Sequence, residues 1–268
     1  MKQSILVIGC GNMGSALVRG LCLDKWQTKY DICLYDMVLL KAESLAHEFG
    51  LSSIADLKEV QSEPYLIFLV VKPNQVKSVC QRIFHFKNSI IISLAAGVNQ
   101  AQLHEYLGQS QPIVRMMPNL AVEVGEGVVA LHFNSQVCEG DREDLLFLFS
   151  SLGWVFEAEE KDFDQITALS GSGPGFIAVF LEAMMDAGVS IGLPWEKSLK
   201  LVIQTMLGTA SWLKKKNCHP GLLKNMVCSP GGTTIAGIKR FELAGFRGIV
   251  MDGIETARKQ TKNNKTEE

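Results

Sequence analysis

The chain has 268 residues, 47% hydrophobic and 20% charged, with a formal net charge of −2 at pH 7. That balance reads as a soluble globular protein of one or two domains and gives no basic footprint for nucleic acid or an anionic membrane. Seven cysteines without a Cys-x-x-Cys spacing and five scattered histidines point to reduced thiols in the cytoplasm and no metal site.

The chain opens on the apolar run Ser4-Ile5-Leu6-Val7-Ile8, followed by Gly9-Cys10-Gly11-Asn12-Met13-Gly14 and a helical stretch from Ser15 to Leu23. A strand, a Gly-x-Gly-x-x-Gly turn and a helix in that order match the dinucleotide fingerprint. In that reading Gly9 permits the tight turn, Gly11 lets a pyrophosphate reach the backbone, and Gly14 lets helix and strand pack closely. The next strand, Asp31 to Tyr35, ends at Asp36. This is about twenty residues past Gly14, where an acidic side chain accepts from a ribose 2′-hydroxyl.

Further strands are expected near Leu51 to Ile54, Tyr65 to Val71, Ile90 to Leu94, Pro112 to Met116, Gly127 to Leu131 and Trp154 to Glu157. Helices are expected near Gln75 to Phe86, Asn99 to Leu107 and Gly140 to Ser151. Near-continuous apolar strands alternating with helices predict an α/β fold, a mostly parallel Rossmann-type sheet covered on both faces. Ligands of such sheets bind outside the carboxyl ends of the strands. That rule brings Lys72-Pro73 and Ala95-Ala96-Gly97 beside a cofactor crevice, with Met117-Pro118-Asn119 close by; a solvated loop charge is the alternative for Lys72. No apolar run as short as Tyr65 to Val71 can span a bilayer, and the glycine loop stands where a signal peptide would need its apolar region.

From about Asp162 the strand pattern stops. Helices are expected at Asp162 to Leu169, Gly173 to Ser190, Pro194 to Lys216 and Thr233 to Lys262, with a frayed tail from Thr261. The division expected is a nucleotide-binding domain over 1–160 and an all-helical domain over 161–268. Phe176 to Val189 and Leu199 to Leu213 are apolar on nearly every side, so they should be buried on every side. About 100 residues cannot readily enclose two such helices, which points to a second copy of the chain as cover, with deep burial against the nucleotide-binding domain as the alternative.

Between the last two helices lies Ser229-Pro230-Gly231-Gly232-Thr233-Thr234. Two glycines let the backbone turn tightly. Two threonines at a helix start would direct hydroxyls and free N–H groups at one spot, suited to a carboxylate. A plain helix cap is the alternative.

Together these pieces resemble pyrroline-5-carboxylate reductase over essentially the whole length. They are Gly9 to Gly14, Val71-Lys72-Pro73, Ser93 to Val98, Arg115 to Asn119, Ala168 to Pro174 and Ser229 to Thr234. The resemblance implies reduction of Δ1-pyrroline-5-carboxylate to L-proline with NADPH or NADH, the last step of proline synthesis. It also implies an interleaved homodimer through the helical domain, in some members built into rings of dimers. The loop carrying Ser229, Gly231, Gly232 and Thr233 would hold the substrate carboxylate, with Thr234 near the ring nitrogen as the catalytic group. Gly9, Gly11, Asn12, Met13, Gly14, Asp36, Val71, Lys72, Pro73, Ala95, Ala96, Gly97 and Asn119 would bind the cofactor. Two positions depart from the family. Asp36, with no adjacent arginine, leans toward NADH where many members prefer NADPH, and Gly175 stands where alanine is usual. Two other readings are a β-hydroxyacid dehydrogenase-like enzyme and a non-catalytic NAD(P)-binding regulator. The first would need a catalytic lysine, and Lys197 and Lys200 have no motif around them.

Overall fold

The structure, a computed structural model, describes residues 2–263. The chain divides into two compact units: everything up to Pro174 together with a piece from Ala257 onward, and Gly175–Thr256.

The first unit is built on eight strands: β1 (Gln3–Ile8), β2 (Tyr30–Tyr35), β3 (Ser52–Ile54), β4 (Leu66–Leu69), β5 (Ile90–Ser93), β6 (Ile113–Pro118), β7 (Gly127–Phe133) and β8 (Gly153–Glu157). They form one sheet in the order β3-β2-β1-β4-β5-β6-β7-β8. Every pairing is parallel except β6 with β7. Between the strands run α1 (Asn12–Leu23), α2 (Trp26–Lys29), α3 (Leu39–Phe49), α4 (Pro73–Ile83), α5 (Gln100–Leu107) and α6 (Glu139–Phe149), with α7 (Phe163–Ile166) after β8.

Alternation along the strands divides the core into two layers. Ile5, Val7, Leu66 and Phe68 join one buried cluster, while their neighbours Leu6, Ile8, Ile67 and Leu69 join another on the opposite face. Side chains of a strand point alternately up and down, so a run apolar at every position must be covered twice. Trp26 closes the first layer, stacking on Phe149 with ring centroids 5.9 Å apart. The chain runs from β1 outward through β2 and β3, then returns to β4 on the other side of β1. At that reversal the ends of the strands are tied together. The Gly9 N–H donates to the Tyr35 carbonyl, and the Val70 N–H to Ile8, both at 2.8 Å. Such a switch point is where a doubly wound sheet opens its crevice.

The sequence reading did not anticipate α3, because its buried stripe is thin: Ala42, Leu45 and Ala46 face inward while Leu39 and Leu40 are exposed. β4 is shorter than Tyr65 to Val71, since Val70 already belongs to the loop. The helix expected over Asp162 to Leu169 is composite. A 3-10 turn at Glu160–Asp162 and α7 lead into a π-turn at Thr167–Gly171, where the Ser172 N–H reaches the Thr167 carbonyl at 2.9 Å.

The second unit is helical, made from α8 (Gly173–Ser190), α9 (Trp195–Lys216), α10 (Pro220–Val227), α11 (Thr233–Leu243) and α12 (Phe246–Asn263), the first and last of which run past its boundaries. α8 and α9 approach closely at Gly188. There the Ser198 hydroxyl donates to the Met185 carbonyl at 2.8 Å, and a Cβ on Gly188 would stand 2.1 Å from that hydroxyl oxygen. The single helix expected from Thr233 to Lys262 is broken. The N–H groups of Ala244 and Gly245 close on Arg240 and Glu242, and Gly245 takes φ +73°, ending α11 as a left-handed glycine does. α10 was not anticipated; its start is set by Pro220 and by His219, whose Nδ1 accepts from the Gly221 N–H at 3.1 Å. Of the tail expected to fray, Thr261 to Asn263 continue α12, and 264–268 lie outside the described residues.

Burial in this unit differs from expectation. α8 has no buried residue and α9 has only Ser198 and Val202, so helices apolar on every side remain open within one chain. The helical stretch 160–190 contains an 18-residue window with a mean hydropathy of 1.3 and is long and apolar enough to cross a membrane by length and composition alone. A core helix of a soluble protein passes the same test.

Candidate active site

At the mouth of the crevice each glycine of the first loop has its own steric reason. Gly9 has φ +107°, and a Cβ there would sit 2.2 Å from the Val70 carbonyl oxygen. A Cβ on Gly14 would come within 1.9 Å of the Gly9 carbonyl oxygen, whereas at Gly11 it would meet nothing within 4 Å. The first and third glycines are needed by the fold, and the second leaves space at the surface. Gly11 is also the N-cap of α1 and no side chain caps that helix, so its first N–H groups are available to an anion. Asn12 is exposed and Met13 half-buried on this first turn.

Asp36 follows β2 directly and shapes the loop. One carboxylate oxygen accepts from the Cys10 N–H at 2.7 Å, the other from the Val38 N–H at 2.8 Å. Two lone-pair positions remain for a hydroxyl donor. The neighbouring Cys10 thiol is pushed up to about 12, chiefly by burial and then by the Asp36 charge, so it stays protonated and inert at neutral pH.

Across the switch point the half-buried Val71 leads into exposed Lys72, whose N–H donates to Gln75 Oε1 at 3.2 Å, and Pro73 opens α4. After β5, the Leu94 N–H donates to the Leu69 carbonyl at 3.0 Å. Ala95 is buried, Ala96 exposed, and Gly97 takes φ +85°. These segments join the glycine loop along the carboxyl edge of the sheet. Asn119 is different: it is 7% exposed and its amide is engaged internally. Its Oδ1 accepts from the Val128 N–H at 3.2 Å, and its Nδ2 donates toward the carbonyl and hydroxyl of Ser170, both at 3.3 Å. Asn119 thus braces β6 against the π-turn.

In the helical unit, the Gly232 N–H donates to the Ser229 carbonyl at 3.0 Å and Gly231 takes φ +72° with nothing near its absent Cβ. A Cβ on Gly232 would stand 2.3 Å from the Ser229 hydroxyl oxygen. Gly232 is the N-cap of α11, no side chain caps it, and exposed Thr233 and Thr234 are its first two residues. Neither threonine is the N-cap, so the hydroxyls and first-turn N–H groups are free to face a ligand.

Sequence reasoning passed over two features of the first unit: the partnership of Asn119 with Ser170, and an ion pair between Arg115 and Glu160. The signal for the second was an arginine in the middle of an otherwise apolar strand.

A cradle closed to side chains beside an uncapped helix start fits a dinucleotide pyrophosphate, and a second uncapped helix start after a glycine pair fits a small carboxylate. Comparison with known proteins agrees. A pyrroline-5-carboxylate reductase from Aquifex aeolicus is 38% identical over 262 residues, covering 98% of this chain and 97% of that protein. This chain belongs to the pyrroline-5-carboxylate reductase family. Residues 160–264 match the family model for pyrroline-5-carboxylate reductase dimerisation, and residues 4–97 the model for the coenzyme F420-dependent NADP oxidoreductase. The crystal structure of the Streptococcus pyogenes 1-pyrroline-5-carboxylate reductase superposes with a TM-score of 0.88 at 34% identity, covering 98% of this chain and 99% of that one. That of the Plasmodium falciparum pyrroline carboxylate reductase with NADP bound gives 0.88 at 31% identity, covering 98% of each chain. Membership in this reductase family makes the chain an NAD(P)-dependent oxidoreductase with a small-molecule substrate and a dimerisation region, and it displaces the two other readings. Lys197 and Lys200, the lysines a β-hydroxyacid dehydrogenase would need, are exposed on α9.

Proposed function

We propose that this protein reduces Δ1-pyrroline-5-carboxylate to L-proline with NAD(P)H in the cytoplasm, as a homodimer formed through its helical region and in larger assemblies as a ring of such dimers. The domain division proposed is nucleotide binding over 1–160, substrate binding and dimerisation over 161–268. The observation that carries the reading is the near full-length relationship to named reductases together with two open helix starts, one after each glycine loop.

The cofactor, when bound, supplies the hydride. The protein's part is positioning, which can account for much of such an acceleration. Gly9, Gly11 and Gly14 leave the backbone of Asn12 and Met13 open to the pyrophosphate. Asp36 accepts from the ribose 2′-hydroxyl and disfavours a 2′-phosphate, so NADH is the preferred donor. Val71, Lys72, Pro73, Ala95, Ala96 and Gly97 form the rest of the nucleotide edge, with Asn119 behind them as a brace. On the substrate side, Ser229, Gly231, Gly232 and Thr233 form the carboxylate pocket through hydroxyls and the backbone N–H groups left free, the Gly232 N–H closing the turn on the Ser229 carbonyl. Thr234 is the catalytic group, hydrogen-bonding the ring nitrogen as the imine becomes an amine. A protonated imine is already electrophilic at carbon, so a hydroxyl suffices where other reductions need a stronger acid.

The test is oxidation of NADH and of NADPH, measured separately, with pyrroline-5-carboxylate as acceptor and proline as the product analysed. Substrate-dependent oxidation with proline formed in equal amount is expected. Its absence with both nucleotides would refute the reading.

A further inference from the structure

The loop that carries Ala95, Ala96 and Gly97 is held from behind by a charged pair the hydride-transfer chemistry does not use. Arg115 lies in mid-β6, opposite Ser93 of β5 and His132 of β7, and is 5% exposed. Its Nη1 donates to Glu160 Oε1 at 2.9 Å, and its guanidinium lies 4.6 Å from the centre of the Phe163 ring. The same Glu160 oxygen accepts from the Gln100 N–H at 2.7 Å. Gln100 is the first residue of α5 and is joined to the loop through Asn99 and buried Val98. Asn99, before it, caps the helix by accepting from the Gln102 N–H at 2.8 Å.

The loop therefore has two anchors. Its upstream end is fixed by the Leu94 N–H on the Leu69 carbonyl, and its downstream end by the buried Val98 side chain and by Glu160, which holds the start of α5. Between them lie exposed Ala96 and Gly97 at φ +85°, with little side chain to fix the path. A carboxylate at a helix start is also favoured by the helix dipole, and Arg115 fixes where that carboxylate stands. A buried ion pair is weak evidence of a contribution to stability, because an apolar pair could replace it without loss. Its directionality is what an apolar pair could not reproduce.

We propose that Glu160, oriented by Arg115, is a positioning residue that sets the path of the Ala95-Ala96-Gly97 loop and thereby the affinity for the nicotinamide nucleotide. The inference rests on the reading of that loop as part of the nucleotide edge. It is tested by titrating full-length protein with NADH, without pyrroline-5-carboxylate, following nucleotide fluorescence, alongside KM, kcat and thermal melts. Glu160→Ala should weaken NADH binding about tenfold, the loss of a charged hydrogen bond. KM for NADH should rise in step, with kcat at saturating NADH nearly unchanged. Glu160→Gln keeps an acceptor for the Gln100 N–H and should recover most of the affinity.

Gln100→Pro supplies the control should Glu160→Ala fold poorly. Proline is well tolerated at the first helical position, yet it deletes the N–H while leaving Arg115 and Glu160 paired, and the same loss of NADH affinity is expected. Wild-type NADH affinity in folded Glu160→Ala or in Gln100→Pro, with or without a lowered melting temperature, would overturn the proposal and leave the pair a structural brace. A wild-type protein that binds NADH but does not reduce pyrroline-5-carboxylate would refute the reaction proposed above without touching this inference.

Discussion

In the first unit β4, β5 and β6 bury every residue, whereas α8 buries none of its 18. Both stretches are strongly apolar, so hydropathy does not separate them. Backbone hydrogen bonding and layering do. A parallel strand is covered by neighbouring strands and by helices on both faces, all supplied by nearby sequence. A lone helix satisfies its own backbone and leaves its whole side-chain surface to be covered by something else. One unit completes its core within a single chain, and the other, which matches the family's dimerisation model, leaves its apolar helix surface uncovered.

The largest effect expected is on the first half of that contrast. Gly14→Val would drive a side chain into the Gly9 carbonyl, where even a Cβ comes within 1.9 Å. The cost should exceed about 4 kcal/mol and leave little soluble protein. Gly11→Ala, with open space and φ −73°, should fold with its melting temperature nearly unchanged yet bind NADH weakly. Equal stability for the two variants would show that the glycines are interchangeable turn residues.

Next is the second half. Val179 and Leu207 are 67% and 57% exposed, so a charge there costs a single chain little. Val179→Glu and Leu207→Lys should shift light scattering from a dimer toward a monomer near 29.5 kDa, while NADH titration remains intact. A dimer unchanged by both would place the association elsewhere.

How far the sequence could be read follows the same contrast. The strand, glycine turn and helix at the start of the chain are legible in the sequence because the glycines answer to local sterics and the strands to a period of two. α3 and α10 are not, because a thin buried stripe and an eight-residue helix carry too little periodicity. The break at Gly245 needed a positive φ that composition does not reveal. Asn119 is expected at the cofactor crevice from its place on the sheet edge, but its amide is engaged internally with Ser170, 51 residues away, a partnership that no local pattern reveals. The Arg115–Glu160 pair, 45 residues apart, escaped for the same reason.

Thr234→Ala tests the open helix start. Because Gly232 is the N-cap and no side chain caps α11, the melting temperature should hold. Turnover or substrate affinity should fall roughly ten- to a hundred-fold, the loss of about 1–3 kcal/mol, with nucleotide affinity unchanged. Full activity with a lowered melting temperature would make Thr234 structural.

The smallest effect expected concerns Asp36, which accepts from the Cys10 and Val38 N–H groups and, in the site proposed above, places a charge where a 2′-phosphate would lie. Asp36→Ser removes the charge, and unit charges at ~4 Å interact by ~1–4 kcal/mol in water-like to surface dielectrics. The ratio of catalytic efficiencies, NADPH over NADH, should therefore rise about tenfold. A second readout comes from the neighbouring thiol. Burial is the main cause of the raised Cys10 pKa, but the Asp36 charge adds to it, so the variant should titrate below the wild-type value of about 12. Alkylation of Cys10, followed by peptide mass spectrometry between pH 9 and 11, should accordingly be faster in the variant, since the thiolate is the reactive form. The two readouts separate charge from shape. Asp36→Asn keeps an oxygen for one of the two N–H groups, so if charge decides, it should match the serine variant in cofactor preference and in thiol reactivity. If Asn instead behaves as wild type in preference while Cys10 reacts faster, nucleotide choice depends on the loop's shape and the electrostatic argument for NADH fails.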